Sequence, residues 1–181
     1  MNNRKNKQAG FSLSETLITV LLLTIVLSAV TVGITAVRNS YKRIVLKADA
    51  MTLLSTIAVS MEADFCSATG ISETPIELDD GQMVYPFKSG IRGYSMYFCN
   101  KAYDENANMV SVHVADMDIP VTTNEAHTSS LSSRMNYTYD KINGCFRYHI
   151  DIYERGTESG GNPKIITGMD YVTRPYEEID E

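Results

Sequence analysis

Two periodicities divide the chain. No residue from Thr16 to Val37 is charged, and Leu17–Val37, LITVLLLTIVLSAVTVGITAV, is apolar on every side. A helix rises about 1.5 Å per residue, so this run is long enough to cross a bilayer. From Arg38 the composition turns polar while the helical period persists. Leu46, Ala50, Leu53, Leu54, Ile57 and Met61 recur at i, i+3/i+4 and trace one stripe, with Asp49, Thr52, Thr56 and Ser60 opposite. Neither Pro nor Gly interrupts Arg38 to Phe65, and the stretch from Ala63 to Gly70 supplies the stop. The pattern predicts one helix from about Ser12 to Asp64, roughly 80 Å long. Its first half is apolar all round and its second half amphipathic.

After Gly70 the period falls to two. Expected strands are Gln82–Tyr85, Gly93–Cys99, Met109–Asp116, Asn136–Ile142, Cys145–Tyr153 and Ile165–Val172. Asn143 and Gly144 both tolerate positive φ, which predicts a two-residue hairpin pairing Ile142 with Cys145, Asp140 with Arg147 and Tyr139 with Tyr148. Phe146, Tyr148, Ile150 and Ile152 then share the helix-facing side with Tyr137 and Tyr139. Asp140 and Arg147 become an opposite-charge pair on the other face. Glu73–Gly81 reads as the connection from helix to sheet, Ile119–Met135 and Thr157–Pro163 as exposed loops, and the terminal EEIDE as a solvated acidic tail. The fold class is α+β: an antiparallel sheet packed on the second half of a long N-terminal helix.

Composition narrows the function. Against 16 Lys+Arg stand 22 Asp+Glu, a formal net charge of -6, and the loss of Arg4, Lys5 and Lys7 would leave -9. Nucleic acid calls for clustered cations on one face, and none is expected as a partner. The mean hydropathy of -0.14 averages an apolar first third with a polar remainder rich in Tyr, Ser, Thr and Asn.

Chemistry is sparse. His113, His127 and His149 are scattered, with no carboxylate or cysteine at ligand spacing on a helix. Asp104-Glu105-Asn106-Ala107-Asn108 begins like a calcium loop, but Met109 replaces the turn glycine and Ala115 the twelfth-position acid. Phosphate loop, nucleophile elbow and paired carboxylates are all missing, so neither catalytic residue, metal nor cofactor is expected. The strand tyrosines read as sheet packing. Cys66, Cys99 and Cys145 are widely spaced with no CxxC pair. A Cys99–Cys145 disulfide, a Cys66–Cys99 disulfide and three reduced thiols all stay open.

Three explanations compete for the apolar run. A cleaved secretory signal needs an apolar core of roughly 7–15 residues ending in a small-x-small site. This run is longer, and its best candidate, around Ile34-Thr35-Ala36, is poor. For a plain anchor the flanking charges give no orientation, because Arg4, Lys5 and Lys7 face Arg38, Lys42, Arg43 and Lys47. The third explanation rests on Glu15, an acid at the mouth of the run. It stands five residues after Gly10 and four after Phe11.

Gly10, then Phe11-Ser12-Leu13-Ser14-Glu15, behind a basic leader and ahead of an apolar helix, resembles the signal of type IV pilins and pseudopilins. The resemblance covers residues 1 to about 65. It implies that a prepilin peptidase cuts between Gly10 and Phe11 on the cytoplasmic side and that Phe11 is N-methylated. Glycine before the cut leaves the backbone free to extend into a protease. It also implies that Glu15 serves subunit assembly, balancing the amine of its own Phe11 or of a neighbour's. In a low-dielectric fibre core that pairing is far stronger than in water. The implied organisation is a leader (1–10), a membrane and fibre-core helix (11–37), its amphipathic continuation (38–65) and a β-rich head with the acidic tail (66–181). The implied partners are the peptidase, other pilin subunits through the helix, an assembly platform protein and the cytoplasmic membrane. The head would lie outside, later on a cell-surface pilus or pseudopilus. One departure stands out: SAVTVGITAV carries Gly33 where many major pilins have a helix-kinking proline. That favours a minor pilin or pseudopilin, a structural subunit rather than an enzyme. The rival is a singly anchored extracellular binding protein whose leader stays attached.

Overall fold

The computed structural model describes residues 12–104, 107–122, 130–157 and 163–176. Helix α1 runs without a break over Leu13–Cys66, 54 residues. The chain divides into two compact units at Val45/Leu46.

In the first unit every described residue is exposed. Among the described residues α1 is the one helix long and apolar enough to cross a membrane. Its hydroxyl side chains donate back to carbonyls three or four residues earlier. Thr16 reaches Leu13, Thr19 reaches Glu15, Thr24 reaches Leu21, Ser28 reaches Ile25, Thr31 reaches Leu27 and Thr35 reaches Thr31. These polar groups are satisfied within the helix, the condition hydrocarbon imposes.

In the second unit the expected stripe enters a core. Ala50, Leu53, Leu54, Ile57, Ala58, Met61 and Phe65 are buried, while Thr52 and Thr56 face solvent. Strands β1 (Ala68–Thr69), β4 (Phe87–Ser89), β5 (Ser95–Asp104), β6 (Ala107–Val114) and β7 (Met117–Pro120) make an antiparallel sheet in the order β1-β4-β5-β6-β7. Strands β8 (Leu131–Asp140), β9 (Cys145–Glu154) and β10 (Ile165–Thr173) make a second in the order β10-β9-β8, and β2 (Ile76–Glu77) pairs with β3 (Met83–Val84). One core joins the helix stripe to Phe98, Val110 and Val112 of the first sheet and to Phe146, Tyr148, Ile150 and Ile152 of the second. The architecture is the α+β, pilin-like one: a long N-terminal helix followed by antiparallel sheets.

The single expected sheet is therefore split, and side chains bridge the split. The Asn100 amide donates to the carbonyl of Met135 at 2.8 Å and accepts from its backbone N–H at 2.8 Å, standing in for the peptide of a paired strand. Gln82 completes the contact by accepting from the Asn100 N–H at 3.0 Å and donating to the Met135 carbonyl. Ser133 Oγ accepts from the backbone N–H of Val110.

Several boundaries differ from expectation. The supposed loop from Ile119 to Met135 contains the end of β7 and the start of β8, where Leu131, Ser132 and Ser133 are buried. The β8–β9 hairpin pairs Asp140 with Cys145, Tyr139 with Phe146 and Tyr137 with Tyr148. Its connection is thus four residues, because the Asp140 carboxylate accepts from the backbone N–H groups of Ile142 and Asn143 and closes the turn early. Only Gly144, at φ 58°, takes the left-handed conformation there. The slip is by two positions, so every side chain keeps its face. Arg147 still reaches Asp140, diagonally, at 3.5 Å.

The expected strand Met109–Asp116 also ends early. Val114 pairs with Met117, leaving Ala115 and Asp116 as a two-residue turn at φ 47° and 67°. Such a turn needs positive φ at both positions, which costs a residue with a Cβ about 1–2 kcal/mol. Glycine removes that strain and gives back about 0.5–1 kcal/mol in chain entropy. Ala115→Gly is therefore expected to raise the urea midpoint, with a net gain of about 0.5–1 kcal/mol. A lowered midpoint would show that this turn holds no such strain.

Candidate assembly site at the start of the helix

The first turn of α1 is built from two side chains that satisfy each other's backbone. Ser12 precedes the helix, and its Oγ accepts from the Glu15 backbone N–H at 3.3 Å. Glu15 Oε2 accepts in return from the Ser12 backbone N–H at 3.1 Å and from its hydroxyl at 3.3 Å. This reciprocal pair is a capping box: it occupies donors that a helix start otherwise leaves free, and it sets an acid against the positive end of the helix dipole. The pattern S-x-x-E at residues 12–15 is its signal in the sequence. Gly10 and Phe11 lie outside the described residues. Glu15 is exposed, and its carboxylate is turned back onto Ser12. Gly33 leaves α1 unbroken, and a Cβ there would meet nothing within 4 Å.

At the other end α1 closes on a buried acid that the stripe did not predict. Asp64 is 2% exposed, accepts from Ser89 Oγ at 2.8 Å, and pairs with Arg92 Nε at 3.0 Å through both carboxylate oxygens. Carbonyls of the last turn are taken by the chain itself: Ser67 N–H donates to Ala63 and Tyr176 N–H to Cys66. Gly90 donates to the Ser67 carbonyl at 2.8 Å, and a Cβ on it would stand 2.8 Å from that same oxygen. Only glycine fits so close an approach. Asp64 follows Met61 and Ile57 by three and seven residues, so its place on the stripe was the available signal.

Cys66, Cys99 and Cys145 are free thiols, and neither the Cys99–Cys145 nor the Cys66–Cys99 bridge is formed. Cys99 pairs across its sheet with Ser111, and Cys145 with Asp140 in the other sheet. Burial, reinforced by the nearby Asp118 carboxylate, pushes the Cys99 thiol up to about 12. Burial and Glu62 also raise that of Cys66.

Two histidines have carboxylate partners across strands rather than along a helix. His113 Nδ1 lies 2.7 Å from Asp118, whose other oxygen pairs with Lys101 at 3.1 Å. Burial works against the Asp118 anion, yet its bonds to His113 and Lys101 hold it below the usual carboxylate range. His149 bridges two acids on the open face of the β10-β9-β8 sheet, with Nδ1 2.7 Å from Asp170 and Nε2 2.9 Å from Asp151. The bond to Asp170 raises its pKa against a desolvation cost, and Asp151 adds to the rise. Gly168 sits beneath this cluster, where a Cβ would stand 2.6 Å from Asp151 Oδ1. His127 lies outside the described residues, as do Glu105 and Asn106 of the calcium-like stretch. The flanking residues of that stretch close a hairpin, with Asp104 paired to Ala107. Among the described residues no three His, Cys, Asp or Glu side chains are grouped to hold a metal ion.

No curated protein and no solved structure matches the chain. Residues 5–31 match the family model of the prokaryotic N-terminal methylation motif, and the chain thus carries the signature of type IV prepilins.

Proposed function

We propose that the chain is a minor pilin or pseudopilin: a non-enzymatic subunit matured between Gly10 and Phe11 and assembled through its N-terminal helix. The observation that carries this reading is the coincidence of motif and helix. Within the matched residues 5–31, Gly10, Phe11 and Glu15 stand at the required spacing, and α1 begins at Leu13 with Glu15 in its first turn. Residues 1–10 are the leader, 11–37 the segment that passes from membrane to fibre core, 38–65 the part that carries the head, and 66–181 the head itself. Phe11 becomes the methylated N-terminus, and Glu15 pairs with its amine or with that of the next subunit. The partners are the prepilin peptidase, an assembly platform protein and neighbouring subunits. The protein waits in the cytoplasmic membrane as a single-pass protein with its head outside. The absent helix proline supports a minor or pseudopilin role over that of a major fibre subunit.

Mass spectrometry of the mature N-terminus tests the reading. A chain beginning at N-methylated Phe11 is expected. A chain retaining Met1, or one beginning well inside Leu17–Val37, would remove the basis for assembly and favour a plain anchor or a cleaved secretory signal.

A further inference from the structure

The head-side end of the apolar run carries a cluster of cations that neither the capping box nor the core employs. Arg38, Lys42 and Arg43 follow Val37, the end of the charge-free run, within six positions, and no acid occurs between Glu15 and Asp49. All three are exposed, and none makes an ion pair among the described residues. Tyr41, between them, is 67% exposed. This membrane-side segment of α1 thus presents positive charge and an aromatic ring that nothing described in the chain covers.

Its position along the helix identifies what does. The uncharged stretch Thr16–Val37 spans about 33 Å at the helical rise, against about 30 Å for the hydrocarbon of a bilayer. With Glu15 at one boundary, Arg38 falls at the other. From Arg38 to Arg43 the helix climbs about 7.5 Å, the depth of one headgroup layer. Tyrosine prefers that layer because its ring is amphipathic, and long cationic side chains snorkel to it. At about 100° per residue Lys42 falls about 40° and Arg43 about 140° from Arg38, with Tyr41 about 60° to the other side, so the four side chains take up a little over half of the helix circumference.

We propose that Arg38, Lys42 and Arg43, with Tyr41, form a collar that binds the phosphate headgroups of anionic phospholipids in the leaflet nearer the head. This rests on the membrane-spanning reading of α1. The collar fixes the depth of the waiting subunit and holds an otherwise acidic chain against a surface of its own sign. Extraction from the membrane must then exchange these lipid contacts for others.

The full chain, reconstituted in bilayers of equal phosphatidylcholine and phosphatidylglycerol, can be cut out in polymer-bounded discs and its surrounding lipids counted by mass spectrometry. Wild-type discs are expected to hold phosphatidylglycerol at about twice its bulk ratio to phosphatidylcholine, since each interfacial cation adds attraction for an anionic surface. The triple variant Arg38→Gln, Lys42→Gln, Arg43→Gln should return to the bulk ratio. Lys42→Gln alone, which leaves the apolar run intact, should lose about a third of the excess. Wild type at the bulk ratio, or an excess unchanged in both variants, overturns the collar. Discs at the bulk ratio that hold two crosslinked chains would assign the cations to a neighbouring subunit and overturn it too. Alkaline carbonate extraction separates the underlying reading: a wild-type chain released by it never spanned the bilayer.

Discussion

Phe65→Ala is expected to destabilise the head by about 3–5 kcal/mol, the range for emptying a fully buried aromatic site. Phe65 occupies the last turn of α1 and has no exposed surface. Its ring stacks on Phe146 at 4.3 Å between centroids and meets Phe98, Tyr148, Phe87 and Tyr137 at 5.1, 5.2, 5.4 and 5.5 Å. Those partners belong to both sheets, so one side chain closes helix and sheets together. Alanine leaves a cavity that four strands border, and paired strands cannot collapse into it without breaking their ladders. Domains of this size hold only about 5–15 kcal/mol in total, so the variant should lose much of its resistance to urea. Phe65→Leu keeps apolar volume but no ring contacts, and should fall between the two. Val59→Ala, on the exposed side of the same helix, should change stability by less than about 0.5 kcal/mol. A Phe65→Ala loss no larger than that of Val59→Ala would show that the helix end is held by Asp64 and Arg92 instead.

What the sequence made legible follows from which signals repeat. The stripe Leu46–Met61 could be read because burial recurs every three or four residues. The faces of β8 and β9 could be read because alternation survives a two-residue slip, even though the Asn-Gly rule placed the turn wrongly. Asp140, whose carboxylate captures two backbone N–H groups, outcompeted that rule. Strands β1, β4 and β7 escaped notice because two to four residues cannot display a period, and all four residues of β7 are exposed. Asp64 was hidden for the opposite reason: a charge on the stripe reads as its edge, and its burial depends on Ser89 and Arg92, 25 and 28 residues away. The Asn100 amide that substitutes for a peptide beside Met135 has no sequence signature at all. At the helix start the residues were legible as a motif, while the bonds between Ser12 and Glu15 give one of them a second role.

That second role makes Glu15 testable in a way that the motif alone did not allow. An acid in the first turn can serve the helix it begins, by capping, or serve assembly, by its charge. Glu15→Gln separates the two. Glutamine retains the carbonyl oxygen that accepts from Ser12, and it is the other residue a capping box accepts at this position, so the first turn should form as before. What it loses is the negative charge. If that charge neutralises the amine of Phe11 inside a fibre, its loss leaves a buried cation unpaired, at about 3–5 kcal/mol. At about 1.4 kcal/mol per factor of ten, incorporation should fall a hundredfold or more. Ser12→Ala makes the complementary cut: it removes the hydroxyl cap at about 1 kcal/mol but leaves the carboxylate in place, so incorporation should fall tenfold at most. The measurement is the share of processed chain recovered in sheared fibres, with the processed form in the membrane fraction as reference. On the proposed reading, cleavage precedes assembly and depends on Gly10, so both variants should be cut normally. Equal, small losses in the two variants would mean that Glu15 acts only as a helix cap. A severe loss in Glu15→Gln alone would assign it to the contact between subunits, where an acid at the mouth of a charge-free helix has a partner that requires it.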